Sequence, residues 1–267
     1  MKFVQLLLSL SILLSATNVL SHPGAHDKLV YINKQLKLKP QDQQLYIHRG
    51  STYSNDGQFD NALVDFRKAE TLGNPLAVAF ELGVLHYRQA KFDAARSYFD
   101  TWLEHSPKHA PALEYRARLL RDAGDYNASL ADYKALFTLQ KRSDPGNYVS
   151  AAKMLAELDD EGLSSAIDIL DQGMQQLGLA PQLQRYAIEL ELQRKQTAKA
   201  IARLSSLEPM LGKSPDWKTD MGELLLLAGK KAEARELFNA ATSQLATLRK
   251  TPARQQLLQK IQKLNSP

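Results

Sequence analysis

Apolar residues recur along this chain at the three- and four-residue intervals of a helix face, and the stripes come in pairs broken by short turns. Small and aromatic residues fix the register of the pairs. Gly50, Tyr53, Ala62, Phe66 and Ala69 return 33 residues later as Gly83, His86, Ala95, Phe99 and Trp102, and after a further 34 as Ala117, Leu120, Ser129, Tyr133 and Leu136. Each segment predicts two antiparallel helices, A then B, joined by a tight turn such as residues 56–60 or 123–126. Gly50, Gly83 and Ala117 mark close approach from helix A, and Ala62, Ala95 and Ser129 mark it from helix B. Phe66, Phe99 and Tyr133 are expected to fill the volume between consecutive pairs, because neither helix can bury its stripe until a neighbour stacks on it.

The pattern extends in both directions. Leu29, Ile32 and Leu36 stand at helical spacing before Pro40 and predict a lone capping helix. After residues 143–146 the repeat weakens but continues, with Ala151, Ala152, Ala166 and Leu170, then Ala187, Leu190, Ala200 and Leu204. The register returns with Gly222, Ala234 and Phe238, and Pro252 opens a last helix carrying Leu257, Leu258, Ile261 and Leu264. That makes about 13 to 14 helices, and no linker is long or Gly-rich enough to separate domains.

A period near ~34 residues, with small residues at two fixed places and an aromatic four after the second, resembles the tetratricopeptide repeat. The resemblance implies an all-α fold, an α-solenoid of stacked helix-turn-helix repeats wound into a right-handed superhelix. Residues 43–143 would hold three well-formed units and residues 144–250 three degenerate ones. Residues 22–42 would form a leader and N-terminal cap, and residues 251–267 a capping helix and tail.

Residues 1–21 change the expected setting. Lys2 is followed by an apolar run from Phe3 to Leu14 and then by small residues, which reads as a signal peptide cleaved after Ser21. The run is shorter than the ~20 residues a spanning helix needs, so no transmembrane segment is expected after cleavage. The chain has no cysteine, which excludes disulfides and a lipidated N-terminal cysteine; the expected location is periplasmic or secreted.

Charge is uneven under a formal total of +5. Residues 22–180 carry 18 Lys and Arg against 21 Asp and Glu, whereas residues 181–267 carry 15 against 8. A solvated basic helix face explains the imbalance, with an acidic partner or anionic surface as the alternative. No aromatic-rich basic motif points to nucleic acid.

The sequence offers no recognisable catalytic set and calls for no cofactor. His105 and His109 are four apart, but Pro107 breaks the helix between them, and His86 takes the packing place of Tyr53 and Leu120. Ser129 in the sequon-like stretch 127–129 stands at a small helix B place, and the run 159–161 lacks calcium-loop spacing. His22, with His26 behind it, would offer copper or zinc an N-terminal amine and ring after cleavage, a metal-handling alternative.

By the same resemblance, helices A line a concave face. The inward places include Asn55, then Phe80, Tyr87 and Arg88, then Glu114, Arg118 and Arg121. This aromatic and arginine row suits an extended or acidic peptide. The expected function is a non-catalytic protein interaction scaffold or adaptor in the bacterial envelope, or else an accessory subunit of an envelope enzyme.

Overall fold

The computed structural model describes residues 23–158 and 160–265. The expected signal peptide and His22 lie outside the described residues. Among the described residues there are fifteen helices and no strand. They form two compact units that divide between Trp102 and Leu103, where the sequence reading treats the chain as one stack.

The first unit begins with α1 (Pro23–Leu38), which turns Ala25, Ile32 and Leu36 inward. His26 is exposed in an early turn of this helix, so the expected leader is helical from Pro23 onward. Asp42 then starts α2 (Gln43–Asn55), its carboxylate accepting from the Gln44 and Leu45 amides at 3.0 and 3.3 Å. Next come α3 (Phe59–Leu72), α4 (Leu76–Arg88) and α5 (Phe92–His105), whose residues up to Trp102 belong to this unit. Phe66 and Phe99 are fully buried. A Cβ on Gly83 would lie 2.6 Å from a Phe99 ring carbon, and one on Gly50 equally near Phe66. The small places of helix A are thus where the ring of helix B lies on the backbone. The ring belongs to the same pair, a more specific fit than the volume-filling between pairs expected from the sequence.

The second unit runs through α6 (Ala110–Asp122), α7 (Tyr126–Leu139), α8 (Pro145–Ala156), α9 (Asp160–Leu177), α10 (Pro181–Gln193) and α11 (Thr197–Ser206). A short α12 (Glu208–Leu211) follows, then α13 (Pro215–Leu227), α14 (Lys231–Thr247) and α15 (Pro252–Leu264). Helix α12 is one more than the sequence suggests. Pro209 cannot donate to the carbonyl four residues back, so the helix of Leu204 stops and a new turn starts. In α7 the fully buried Ser129 donates to the Ala117 carbonyl at 2.7 Å, which accounts for its hydroxyl at a small-residue place. Trp217 ties α13 to α11 by donating from Nε1 to the Leu204 carbonyl at 3.0 Å.

Five A-to-B turns share one geometry. Gly57, Ala90, Gly124, Lys195 and Gly229 all have φ between +56° and +80°. The next amide closes each turn, as Lys91 does on the His86 carbonyl at 2.9 Å and Gln196 does on the Glu191 carbonyl at 2.8 Å.

Candidate functional site

The expected inward row falls in both units, and each part has its own surroundings. In the first, Asn55 is exposed at the end of α2. Arg88 reaches from α4 to donate to the Ser54 carbonyl at 2.9 Å, satisfying a carbonyl in the last turn of α2. Phe80 lies against α5, its ring 6.2 Å from Phe99 and 6.1 Å from Trp102, so much of its surface goes to packing. Tyr87 meets Phe92 at 5.9 Å. On the same helix, burial pushes the Glu81 carboxyl above its ordinary value, opposed by a hydrogen bond from Ser51 and the charge of Arg88.

In the second unit the row is a polar network between α6 and α8. Glu114 pairs with Arg118 and accepts from Asn147 at 3.0 Å, and Arg118 also reaches Asn147. Arg121 holds Asp122 through two nitrogens at 2.7 and 2.8 Å and donates to Ser150 at 3.2 Å. Both arginines therefore answer groups of their own fold. Lys153 continues the row over the Tyr186 ring at 5.8 Å.

Further along the same unit the A helices present isoleucine and leucines beside charged residues. Helix α10 presents Arg185, Ile188, Glu189 and Leu192, and α13 presents Asp220, Glu223, Leu224 and Leu227 at the same i, i+3, i+4, i+7 spacing, 35 residues later. Leu204, Leu226 and Leu264 complete a groove of about 710 Å³. Seven of its eleven lining residues are Ile or Leu, so its floor is apolar and its polar groups are all charged. Leu227 is 66% exposed there.

Lys260 of α15 bridges the rim, its Nζ 2.7 Å from a Glu223 oxygen and 3.9 Å from Asp220. Burial raises the Asp220 carboxyl above its usual range, with Lys260 and Arg185 pulling it down and Glu223 pushing it further up.

The apolar run at residues 224–228 suggests, by sequence, one helix face inside a repeat. Four consecutive leucines instead wrap the helix, so Leu224 and Leu225 are buried while Leu227 opens onto the groove. The 35-residue echo of the stripe was the available signal.

The tetratricopeptide-repeat family model matches residues 47–110 and 80–148. Over these residues the chain is built of tetratricopeptide repeats. Its fold is the all-α solenoid of that family, an architecture of protein interaction scaffolds. Over 128 residues it is 27% identical to the mitochondrial import receptor subunit TOM70 of Saccharomyces cerevisiae, covering 48% of this chain and 21% of that protein. The chain thus spans about a fifth of the length of that relative.

Among solved structures, the C-terminal part of a repeat-containing protein from Cytophaga hutchinsonii aligns with a TM-score of 0.67 at 12% identity, over 88% of this chain and 95% of that one. PilF of Pseudomonas aeruginosa aligns at 0.57 with 14% identity, over 75% and 90%. At these identities the likeness is one of fold.

Among the described residues no three His, Asp or Glu side chains gather as a metal site, and no helix is long and apolar enough to cross a membrane.

Proposed function

We propose that this chain is a non-catalytic adaptor of a bacterial envelope that holds a segment of a partner protein in the groove between α10 and α13. The groove carries the reading. An apolar concavity of about 710 Å³ with a few charged groups at its edge is how a fold meets a ligand, and the exposed Leu227 carries its apolar wall out to the mouth. The receptor description of TOM70, to which the chain is 27% identical over 128 residues, adds support. Repeat architecture by itself does not choose a partner.

The compartment rests on Lys2 and the apolar run from Phe3 to Leu14. Mass spectrometry of the protein from its native cells should find a chain beginning at His22. An N-terminus at Met1 or Lys2 would remove the envelope setting.

For the groove, a photo-crosslinking amino acid at Leu227 should capture a discrete partner in cells, and one at the exposed Ser205 should not. Equal capture from both positions would defeat the groove as the binding site.

A further inference from the structure

Charge at the groove runs against the rest of the chain. The sequence totals +5, and its last third is the more basic part, yet three carboxylates, Glu189, Asp220 and Glu223, line the groove beside one arginine. A partner drawn by the protein's general field would be acidic; a partner seated in this groove would meet carboxylates first.

The chain itself supplies an example of what fits. Helix α15 sets the ammonium of Lys260 on Glu223 and Asp220 and brings Leu264, one turn later, to the apolar wall. A basic residue four places ahead of a leucine thus satisfies both parts of the surface at once. The hold is light, because Ile261 is the buried residue of α15 while Leu257, Leu258 and Leu264 are only partly covered.

We propose that the groove receives an amphipathic helix of a partner protein in which Lys or Arg stands four residues before a Leu, and that this helix competes with Lys260 for Glu223 and Asp220. This rests on the groove reading above and adds the chemistry of the partner to it. The helix-in-groove mode places one turn's apolar side chain on the leucines and the preceding turn's cation on the rim. The arrangement also makes α15 a built-in brake, since each partner cation must displace an ion pair that the chain already makes.

The test uses the full chain and two labelled helical peptides, about 14 residues or four turns long, one of Leu and Lys with Lys four places before Leu, the other with Glu in place of Lys. Fluorescence anisotropy at low salt should show the Lys peptide binding about tenfold or more tightly than the Glu peptide, although the protein's net charge favours the opposite. Leu227→Gln, at an exposed side chain and with circular dichroism as the check that the fold is kept, should weaken the Lys peptide about tenfold. Glu223→Gln should weaken it severalfold, and Lys260→Gln should tighten it.

If Leu227→Gln weakens both peptides but the two bind equally, the basic partner is overturned while the groove stands. A Lys peptide indifferent to Leu227→Gln overturns both. Lys260→Gln that weakens binding overturns the competition, and a dimer of the chain that dissociates in Leu227→Gln, seen by sedimentation, assigns the groove to a second copy and overturns a foreign helix.

Discussion

Arg116 and Asp132 form a two-pronged ion pair, Nε and Nη2 each 2.8 Å from a carboxylate oxygen, that fastens α6 to α7 across sixteen residues of sequence. Arg49 and Asp65 make the same pair at 2.7 Å between α2 and α3. In the intervening repeat both members change together, to Leu82, fully buried, and Tyr98, on which His86 stacks at 5.4 Å. The position next to the helix contact is therefore filled either by a bidentate pair or by an apolar pair.

Asp132→Ala should lower stability by about 1–3 kcal/mol, because Arg116 is left without its carboxylate in a site where its side chain is only 23% exposed. Adding Arg116→Leu and replacing Asp132 by Tyr instead should recover most of the loss, since that is the middle repeat's own solution. Urea midpoints measure both. A double variant no better than Asp132→Ala would show that the two solutions are not interchangeable.

Lys195→Gly and Ala90→Gly should each stabilise the fold by about 0.5–1 kcal/mol. Both residues hold φ near +57°, where a side chain crowds the following carbonyl, and three equivalent turns already use glycine. Conversely, Gly124→Ala should cost about 1 kcal/mol. Thermal melts that rank the variants the other way would place these turns elsewhere than in the left-handed region.

The turns and the places of the small and aromatic residues were legible in the sequence because each is a steric demand that few residue types meet, whereas the seating of each ring on the small residue of its own pair was not. Gly83 and Phe99 can be matched by eye once the 33-residue offset is found. The ion pairs were not legible. Arg49 and Asp65 look like ordinary exposed residues until the hairpin brings them together, and their absence from the middle repeat hides the period. The inward row was placed by family resemblance, which gives a helix face but not what a side chain on it touches; Arg118 with Glu114 and Asn147 is a case in point. The groove was hidden for a different reason: a run of leucines in a repeat reads as core whichever way each one points.

Acid should weaken the fold in a window that starts near pH 6.5. Burial, then the charges of Lys91 and Arg67, hold the His86 imidazole below its ordinary 6.5, and burial does the same to His109, whose Nδ1 accepts from the Ala112 amide at 3.2 Å to cap α6. Between the unfolded value and the lower folded one, the unfolded chain takes up a proton that the native state refuses, so stability falls as pH falls and levels off below the folded value. His86→Tyr, the residue type of the first repeat's Tyr53, together with His109→Asn, which keeps a cap acceptor, should flatten the melting temperature between about pH 7 and about pH 5. A slope unchanged in the double variant would assign the acid sensitivity to other groups.

Arg118 and Arg121 pose the sharpest question about the row that resemblance singled out. Both guanidinium groups sit between α6 and α8, where Glu114, Asn147, Asp122 and Ser150 already receive their donors. Arg118→Glu would set a second carboxylate beside Glu114 and strand the Asn147 carbonyl oxygen, so it should destabilise the second unit by about 1–2 kcal/mol. Arg121→Glu should do less, because two of its guanidinium nitrogens are held by its exposed neighbour Asp122. Neither change touches α10 or α13, and the affinity of the Leu and Lys peptide for the groove should stay as it is in the parent chain. Calorimetry on the same samples with the Glu peptide gives the other half of the comparison. If Arg118→Glu leaves the melting temperature unchanged while removing a measurable affinity for the Glu peptide, then these arginines serve an acidic partner and their contacts with Glu114 and Asn147 are incidental to the fold.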